Sequence, residues 1–534
     1  MNNFIKIFLR FFLLIVLALF FELILNKITE HLFYNFIENI LFTVIIICLL
    51  YIIGNTRLKK YYINISFIIF SLVLFLETAF YYLFKTIFTE STIFIAFDTN
   101  SEEVKEFIGF YIDTPIVIFG VVMLALITVV LMSLNKHDFQ FKPIRKKMTL
   151  LVVSIMIFLK FSGLIIYNLP YMAVRSAVGY YVESKKLSEY ATNKNGDFTN
   201  VHRVFDEGED EIYVIIIGES TARSHLGIYN YYRNTTPSLK EKEDDLLVYN
   251  KVISPDTYTI ASLTKVLTLG NYENPDEKFE GSIIQLLNQV GFKTYWISAQ
   301  KPLGANDSYI TKIGMGADES YFMNIKNAKE ETVFDEVLVN KMNEVLSDKG
   351  NKKVIFLHTL GTHMNYKNRY PKSFNFFNDI PKTKFKKKHI YNQINAYDNA
   401  IRYTDYIINK VIESVKNTNA TSFVLYFSDH GEEVYDDIEF AGHYRDKLRT
   451  KNVYEIPFIL WQSENYKNKR KISSLNLDTK YMIDDLFHSI ADLVDVKADE
   501  VDSTRSIFNN NFKERKRVIR DTIDYDLYFS KTLK

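Results

Sequence analysis

Three apolar runs after residue 210 lead into side chains of the types that ligate metals. The run "VIIIG" leads into Glu219, "SFVLYFS" leads into Asp429 and His430, and "KKVIFL" leads into His358. Short runs of β-branched and aromatic residues predict buried strands. Because ligands bind in open α/β sheets at the carboxyl ends of the strands, we expect these side chains to lie at one sheet edge.

Two further histidines and a carboxylate follow the same runs. His363 lies in "HTLGTH", Glu432 in "DHGEE" and His443 in "FAGHYRD". Each has an ordinary alternative explanation, and Glu219 in particular suits the first turn of a helix capped by the adjacent Ser and Thr. Five side chains of metal-ligating type at one sheet edge are poorly explained as helix caps. The five are Glu219, Asp429, His430, His363 and His443. The set therefore predicts a metal site.

The predicted ligands are oxygen and nitrogen donors. A catalytic zinc site typically has three ligands from His, Asp or Glu and keeps one position open, and Glu219, Asp429 and His430 supply three. Manganese accepts the same donors, so both metals stay open at this point. Cys48, the one cysteine among 534 residues, lies in the apolar run "TVIIICLLYIIG" and predicts neither a disulfide nor a thiolate site.

The segment "SPDTYTIASLTKVLT" offers a nucleophile. Thr257 and Thr259 precede a helical pattern. A hydroxyl at a helix N-terminus meets free N–H groups and the positive end of the helix dipole, both of which stabilise an anion, and a metal lowers its pKa further. The alternative is that one threonine is only the N-cap.

The predicted strands and helices that must position these groups form an α/β pattern. From about residue 210, strand candidates such as "KTYWIS" and "IPFILW" alternate with helical patterns such as "GSIIQLLNQVG". This alternation predicts a mostly parallel central sheet with helices on both faces. The basic run "PKTKFKKKH" around Lys384 is interpreted as a solvated loop, with contact to anionic lipid as the alternative.

The first 168 residues predict a membrane domain, because five apolar stretches are each about as long as the roughly 20 residues that cross a bilayer. They are Ile5 to Leu25, Phe33 to Ile53, Ile63 to Phe84, Ile116 to Leu134 and Thr149 to Tyr167. The loops "NTRLKK" and "NKHDFQFKPIRKK" are basic and are placed in the cytoplasm, so the chain after about Asn168 lies outside it. Glu77, inside the third stretch, is either a functional group or a residue that faces the bundle.

Residues 169–209 predict a linker region. The segment "YMAVRSAVGYYVESKKL" has an amphipathic pattern that fits a helix along the membrane surface or a helix packed on the outer domain. The predicted organisation is a five-helix transmembrane domain (1–168), this linker, and an outer catalytic α/β domain (210–534). The formal net charge of +1 gives no argument for a nucleic-acid partner.

Taken together, the segments "GES", "HTLGTHMNY", "YDNAIRYTDYII" and "SDHGEE" resemble the membrane-bound phosphoethanolamine transferases, a family of the alkaline phosphatase/sulfatase superfamily. That family includes lipid A modifying enzymes and the mobile colistin-resistance enzymes. The resemblance covers nearly the whole chain, since the family also has five spans followed by an exported, sulfatase-like α/β domain.

The resemblance implies a role for each candidate residue. Zinc would be held by Glu219, Thr259, Asp429 and His430, with Thr259 favoured over Thr257 as the nucleophile. His363 and His443 would lie near the transferred phosphoryl group, and the further expected assignments are substrate binding by Glu432, Glu103 and Thr257, and an optional second metal at His358 and Glu432.

Two departures from the family pattern stand out. The family often brackets the nucleophile segment with two cysteines, whereas Pro255 and Lys265 stand at those positions, so the helix is expected to be held by packing alone. The family's lysine near the phosphoryl group has Lys301 as its nearest counterpart.

The expected reaction transfers phosphoethanolamine from phosphatidylethanolamine to Thr259 and then to an outer acceptor. The resemblance to the family implies that this acceptor is lipid A phosphate. The protein is expected to be a monomer in the inner membrane with its catalytic domain in the periplasm. The alternatives are a phosphoglycerol transferase of similar architecture, a hydrolase that passes the phosphoryl group to water, and a membrane sensor that binds metal or lipid without turnover.

Overall fold

The computed structural model describes most of the chain. The described residues are 2–25, 29–89, 92, 93, 96, 97, 99, 101–137, 139–204, 210–300, 309–324, 333–348, 350–443, 450–470, 472 and 476–531.

The described helices divide into a set near the N-terminus, which includes the long apolar helices, and a set that follows it. The first set comprises α1 (Asn2–Leu25), α2 (Glu30–Ile52), α3 (Thr56–Phe84), α4 (Ser101–Tyr111), α5 (Thr114–Asn135), α6 (Arg145–Phe161) and α7 (Leu169–Leu187). The second comprises α8 (Glu189–Thr192), α9 (Pro237–Glu241), α10 (Thr259–Leu267), α11 (Ile283–Gln289), α12 (Tyr309–Gly314), α13 (Glu336–Leu346), α14 (Lys388–Lys416), α15 (Glu464–Lys469), α16 (Leu486–Leu493) and α17 (Tyr525–Lys531).

All strands in the described part of the chain lie after residue 201. They are β1 (His202–Arg203), β2 (Glu211–Gly218), β3 (Leu246–Val248), β4 (Val252–Ile253), β5 (Lys293–Ser298), β6 (Glu319–Phe322), β7 (Lys352–His358), β8 (Thr421–Ser428), β9 (Glu433–Val434), β10 (Ala441–Gly442), β11 (Phe458–Gln462), β12 (Tyr481–Met482), β13 (Val496–Lys497), β14 (Val518–Ile519) and β15 (Ile523–Asp524). Seven of them form one sheet in the order β3-β11-β8-β2-β7-β5-β6. All neighbours from β8 to β6 are parallel, while β11 runs antiparallel to β8 and β3. The predicted mostly parallel sheet is confirmed.

The centre of this sheet is buried on both faces, as the uninterrupted apolar runs predict. Every residue of β2 and β8 is buried. Gly218 pairs with Ser428 on one side, and Ile217 pairs with His358 on the other. This register brings the residues that follow β2, β7 and β8 to the same level of one sheet edge.

The chain divides into two compact units, one formed by Met1–Val182 and one from Glu183 onward. The division falls inside the predicted linker region 169–209. In the first unit, aromatic side chains interlock: Phe11 of α1 packs edge-on against Phe67 of α3, with ring centroids 5.0 Å apart. Such pairs add to the burial of a large apolar area.

Four of the described helices are long and apolar enough to cross a membrane, namely those at Asn3–Ile24, Glu30–Ile52, Thr56–Phe84 and Thr114–Asn135. The fifth predicted span corresponds to α6, which has 17 residues and ends where Gly163 adopts a left-handed conformation with φ 76°. At 1.5 Å per residue, such a helix is about 26 Å long, short of the roughly 30 Å hydrocarbon core. A count of five spans stays a prediction.

Glu77 faces the interior of the membrane helices. Its carboxylate accepts a hydrogen bond from the Asn39 amide (Nδ2–Oε2, 3.2 Å), and nearby Glu38 accepts one from Asn168 (2.8 Å). Both carboxylates are buried. Of the two interpretations of Glu77, the structure supports the one in which the side chain faces the bundle, since an ionisable residue among apolar helices needs such partners.

Candidate metal centre and active site

The edge of the sheet brings together the carboxylates and histidine that end β2 and β8. Glu219, Asp429 and His430 lie with one ligand atom of each within 4.8 Å of the others, and all three are buried. Glu219 and Asp429 leave adjacent parallel strands at the same level, and His430 follows directly. The predicted grouping of these three residues is therefore present in the structure.

The geometry of this group suits a tetrahedral cation. His430 Nδ1 donates to the Gly431 carbonyl oxygen (2.8 Å), so Nε2 is the ring nitrogen that would ligate a metal. Nε2 lies 3.4 Å from Glu219 Oε1 and 3.4 Å from Asp429 Oδ2. Two ligands of a tetrahedral zinc lie ~3.3 Å apart, given metal–ligand bonds of about 2.0 Å.

Two atoms of the group, Asp429 Oδ2 and His430 Nε2, have no hydrogen-bond partner among the residues that the structure describes. Buried polar atoms are nearly always bonded, so a convergent pair without partners indicates a missing ligand. The remaining atoms are held firmly, because Asp429 Oδ1 accepts the backbone N–H groups of Ser220 (3.1 Å) and His430 (2.7 Å). The residues present thus fit a divalent metal.

The electrostatics of the group also favour a cation. Burial, followed by the charge of Glu219, raises the pKa of Asp429 to about 8. Burial opposes the charge on His430, but Asp429 and Glu219 outweigh it and raise the pKa of the imidazole to about 10. Two buried carboxylates in contact are costly without a positive partner.

The backbone around Glu219 is shaped for this arrangement. Ser220 adopts φ 57°, a left-handed conformation that turns its hydroxyl back to Glu219 Oε1 (2.7 Å). Gly361 approaches from the loop after β7, where a Cβ would lie 2.7 Å from the Glu219 carbonyl oxygen. Only glycine permits that approach, since no real Cβ contact is so short.

Thr259 is the hydroxyl that reaches the group. Its Oγ1 donates a hydrogen bond to Glu219 Oε2 (2.9 Å), and the residue is the first of α10. The N-cap of α10 is Tyr258, which makes no side-chain cap bond, so neither threonine has the capping role that was the alternative prediction. Thr257 is buried beside it.

A second group adjoins the first and shares His430. Glu432 and His443 complete it, with ligand atoms within 4.8 Å of one another. Glu432 is fully buried; its Oε2 lies 2.7 Å from His443 Nδ1, and its Oε1 accepts a hydrogen bond from the Tyr366 hydroxyl (2.7 Å). Glu432 therefore orients His443, whose ring lies 4.3 Å from that of His430 between centroids.

His363 and His358 have different surroundings. Burial is the first cause that lowers the pKa of His363 well below its usual range, so the imidazole is neutral at physiological pH. His358 is buried, its Nδ1 lies 3.3 Å from Ser298 Oγ, and it belongs to neither metal-ligating group in the described chain. The structure does not support the predicted pairing of His358 with Glu432.

Two predicted residues cannot be placed. Lys301 lies outside the described residues, and for Glu103, on α4, only the backbone is described.

The prediction that α10 is held by packing alone is wrong. The Lys265 ammonium donates to Asp256 (2.8 Å) and Asp521 (2.5 Å). Burial opposes its charge, but the carboxylates of Asp256 and Asp521 outweigh it and raise the pKa of Lys265. A buried ion pair thus joins the segment before Thr259 to the far end of α10.

A second tie fixes α10 to the metal group itself. The Ser262 hydroxyl, on α10, donates to the Asp429 carbonyl oxygen (2.6 Å), and Ser254 donates to the same oxygen (2.6 Å). The position of the Thr259 hydroxyl relative to Asp429 therefore depends on short hydrogen bonds and on the Lys265 ion pair.

Replacing Lys265 with methionine is expected to destabilise the protein by about 3–5 kcal/mol, because it leaves the Asp256 carboxylate buried and unpaired. Thermal unfolding of the detergent-solubilised chain measures this. Lys265→Met/Asp256→Leu should recover most of the loss, and the exposed Lys467→Met should change stability by no more than about 0.5 kcal/mol. Equal stability of Lys265→Met and the parent would contradict a role for the ion pair.

The sequence analysis missed three residues that support the site. Asp335 accepts the backbone N–H groups of Leu360 (2.7 Å) and Gly361 (3.0 Å), and Arg369 binds the His363 carbonyl (3.1 Å). Gln300 donates to Glu219 Oε2 (3.3 Å). In sequence, Asp335 looks like an ordinary acidic residue at the start of a helix, and no local signal marks the loop it holds.

Comparisons with known proteins agree with this geometry. The family model described as Sulfatase matches residues 211–496. A phosphoethanolamine transferase, EptC of Escherichia coli (strain K12), is 30% identical over 483 residues, which cover 84% of this chain and 83% of the relative. The chain belongs to the phosphoethanolamine transferase family.

Other relatives of this transferase agree. Phosphoethanolamine transferase CptA of Salmonella typhimurium (strain LT2) is 30% identical over 488 residues, or 84% of this chain and 83% of the relative. The crystal structure of the C-terminal periplasmic domain of EcEptC from Escherichia coli, in complex with Zn, is 34% identical with a TM-score of 0.59, and covers 62% of this chain and 96% of that one.

One solved structure is similar to this chain over nearly its full length, and at its low sequence identity the similarity concerns the fold alone. The integral membrane protein lipooligosaccharide phosphoethanolamine transferase A (EptA) from Neisseria meningitidis has a TM-score of 0.69 and 18% identity, over 93% of this chain and 97% of that chain. The predicted architecture of N-terminal apolar helices followed by a sulfatase-like α/β domain is therefore confirmed.

Proposed function

We propose that this transferase moves phosphoethanolamine from phosphatidylethanolamine to lipid A through a covalent intermediate on Thr259. The observation that carries the proposal is the position of the Thr259 hydroxyl, 2.9 Å from the carboxylate of the buried Glu219, a proposed metal ligand. A hydroxyl held on a metal-ligating group at a helix N-terminus is the arrangement that an oxygen nucleophile needs.

Glu219, Asp429, His430 and Thr259 are the proposed zinc ligands. When bound, zinc would lower the pKa of the threonine hydroxyl and offset negative charge on the phosphoryl oxygens. The donor set of carboxylates and one imidazole fits zinc, and the solved Escherichia coli EptC domain is described as a complex with Zn. A second zinc is the further option, with the buried Glu432 as a candidate ligand.

In the first half-reaction, the Thr259 hydroxyl gives up its proton along its hydrogen bond to Glu219 Oε2, and Oγ attacks the phosphorus of phosphatidylethanolamine. The new Oγ–P bond replaces the P–O bond to diacylglycerol, whose alkoxide needs a proton. His443, held by Glu432, is the proposed general acid. Because His363 is neutral, its imidazole can donate a hydrogen bond to a nonbridging oxygen. Thr257 and Glu103 are assigned to donor binding.

In the second half-reaction, an oxygen of the acceptor attacks the phosphoryl group and releases Thr259. Lipid A is proposed as acceptor because relatives include a Kdo(2)-lipid A phosphoethanolamine 7''-transferase of Escherichia coli (strain K12), 32% identical over 275 residues. Two displacements in sequence replace one difficult step with two easier ones.

The proposed location is the inner membrane, with the catalytic domain in the periplasm and the protein acting as a monomer. Apolar helices anchor the chain, and the similar EptC domain is named periplasmic. On α7, Val174, Val178 and Tyr181 are 61–70% exposed and lie on one helix face. That apolar stripe favours the membrane-surface interpretation of this helix over a packed linker.

Peptide mass spectrometry tests the intermediate. The purified protein is incubated with phosphatidylethanolamine carrying a deuterated ethanolamine, and the peptide with Thr259 is examined. A labelled phosphoethanolamine adduct on Thr259 supports the proposal. A phosphoglycerol adduct from native lipid would replace the donor, and release of free phosphoethanolamine without acceptor would indicate a hydrolase.

Replacing Glu432 with glutamine is expected to lower kcat for transfer by roughly 100-fold, because His443 loses its charged partner and its fixed tautomer. Tyr366→Phe removes only the other hydrogen bond of Glu432 and should cost roughly 10-fold or less. Steady-state kinetics, with zinc content measured alongside, checks both. An unchanged kcat for Glu432→Gln would remove His443 from the mechanism.

A further inference from the structure

A cavity of about 340 Å³ lies beside the proposed active site and is not used by the mechanism above. Its lining comes from the segment after β2, the basic segment that precedes α14, α14 itself, and β9 with the turn that follows it. The residues that matter below are His225, Tyr231, Lys382, Lys384, Tyr435 and Asp436.

The floor of the cavity is a fixed ionic network. His225 is buried; its Nδ1 lies 2.7 Å from Asp398, and its Nε2 lies 3.2 Å from Asp436. Burial opposes protonation, but the carboxylates of Asp436 and Asp398 raise the pKa of His225 to about 10. Arg233 adds a bond to Asp398 (2.7 Å). The cationic imidazole therefore holds the partly exposed Asp436 in place at the cavity.

The rim of the cavity is basic. Lys382 and Lys384 line it and are exposed, and the same segment continues with exposed Lys386, Lys387 and Lys388. Lys384 donates to the Asp437 carbonyl (2.7 Å), and Lys387 pairs with Glu439, so the basic segment is attached to the β9–β10 turn. Five lysines within seven residues give this side of the cavity a positive potential.

The cavity is close to the reacting groups along the chain. Asp436 follows Glu432 by four residues, which span at most about 14 Å when extended. The turn then returns through β10 to His443. The open end of this hairpin therefore carries Glu432 and His443, and its turn lines the cavity.

The chemistry of the lining specifies a ligand class. Lysine ammonium groups bind phosphate, a carboxylate such as that of Asp436 accepts hydrogen bonds from hydroxyls, and the rings of Tyr231 and Tyr435 offer flat apolar faces. A sugar that carries a phosphate presents all three partners, whereas inorganic phosphate uses only the lysines. The volume falls within the usual range for small-ligand pockets.

We infer that this cavity binds the phosphorylated sugar of the acceptor, with Lys382 and Lys384 on the phosphate and Asp436 on a sugar hydroxyl. This inference rests on the proposed function, for which it supplies the acceptor site. A phosphorylated sugar bound there would place the acceptor oxygen near the hairpin that carries His443.

Calorimetric titration of the full chain in detergent tests the site without requiring turnover. The probes are a glucosamine disaccharide 1-phosphate, the same disaccharide without phosphate, and inorganic phosphate. We expect the phosphorylated disaccharide to bind at least about 10-fold more tightly than either of the others, since only it meets both the lysines and the carboxylate. Lys382→Gln/Lys384→Gln should weaken it by roughly 10- to 100-fold.

Matched variants separate recognition from folding. Lys513→Gln/Lys516→Gln changes the charge equally at two exposed lysines outside the cavity and should bind the probe as the parent does. Lys382→Arg/Lys384→Arg should restore most of the affinity. Unaltered affinity in Lys382→Gln/Lys384→Gln, no binding by the parent, or equal affinity for inorganic phosphate would each overturn the inference.

A transfer assay distinguishes this inference from the proposed function. If both hold, Lys382→Gln/Lys384→Gln raises KM for the phosphorylated acceptor by the factor found in the titration. If the parent binds the disaccharide phosphate at this site but transfers no phosphoethanolamine, the sugar phosphate site stands and the proposed function fails.

Discussion

Thr259→Ala is expected to lower phosphoethanolamine transfer by at least about 10⁴-fold, because it removes the oxygen that forms the covalent intermediate. The fold should survive the change. Thr259 is the first residue of α10 but not its N-cap, and alanine is the best helix former. Release of diacylglycerol from phosphatidylethanolamine in proteoliposomes measures the rate.

Two variants sharpen this test. Thr259→Ser keeps a hydroxyl and should retain activity within roughly 10-fold of the parent. Thr264→Ala removes a hydroxyl from the same helix that only bonds the Ile260 carbonyl (2.6 Å), and should leave the rate within about 3-fold. Substantial diacylglycerol release by Thr259→Ala would exclude this threonine as the nucleophile.

Asp429→Asn is expected to abolish zinc binding and transfer while leaving the metal-free protein as stable as the metal-free parent, or more stable. In the parent, Asp429 and Glu219 are buried carboxylates, and Asp429 Oδ2 has no hydrogen-bond partner in the described part of the chain. An asparagine at that position is neutral at every pH, so it avoids the cost of burying a second ionisable carboxyl group beside Glu219. The same substitution therefore separates metal binding from folding.

The measurement is thermal unfolding with and without zinc, together with the zinc content of the purified protein. Zinc at about 1,000 times its Kd should stabilise the parent by about 4 kcal/mol and leave Asp429→Asn unchanged. Asp405→Asn is the matched control: this buried carboxylate accepts the N–H groups of Ser238 and Leu239, so its loss should lower stability by about 1–3 kcal/mol and preserve zinc binding. A full zinc shift in Asp429→Asn would contradict the assignment of this ligand.

Features that depend on local pattern could be predicted from the sequence. Four of the five predicted apolar stretches correspond to helices long enough to span a membrane, because hydrophobic length is a property of one segment. Glu219, Asp429 and His430 could be placed at one sheet edge because each directly follows a strand, and parallel strand ends share an edge. Thr259 could be selected only with help from the family resemblance.

The limits of the sequence are clearest at the predicted fifth span and at His358. The apolar run from Thr149 continues to Tyr167, yet α6 ends near Gly163, where a left-handed residue interrupts the helix. His358 ends a strand just as Asp429 does, but its ring bonds Ser298 and lies outside the metal-ligating groups of the described chain. Side-chain direction at a strand end depends on the neighbouring strands, which a single run does not specify.

Partners that are distant in sequence were decided by the tertiary structure alone. Lys265 bonds Asp521 across 256 positions, Tyr366 holds Glu432 across 66, and Asp335 holds the loop at Gly361 across 26. In sequence these are ordinary charged or aromatic residues. Packing of the helices and loops on the sheet determines which buried polar groups meet, and burial makes each unpaired group costly. The residue types and the sheet edge were therefore determined by the sequence, whereas the supports that align Thr259, His443 and the adjacent cavity were decided by the fold.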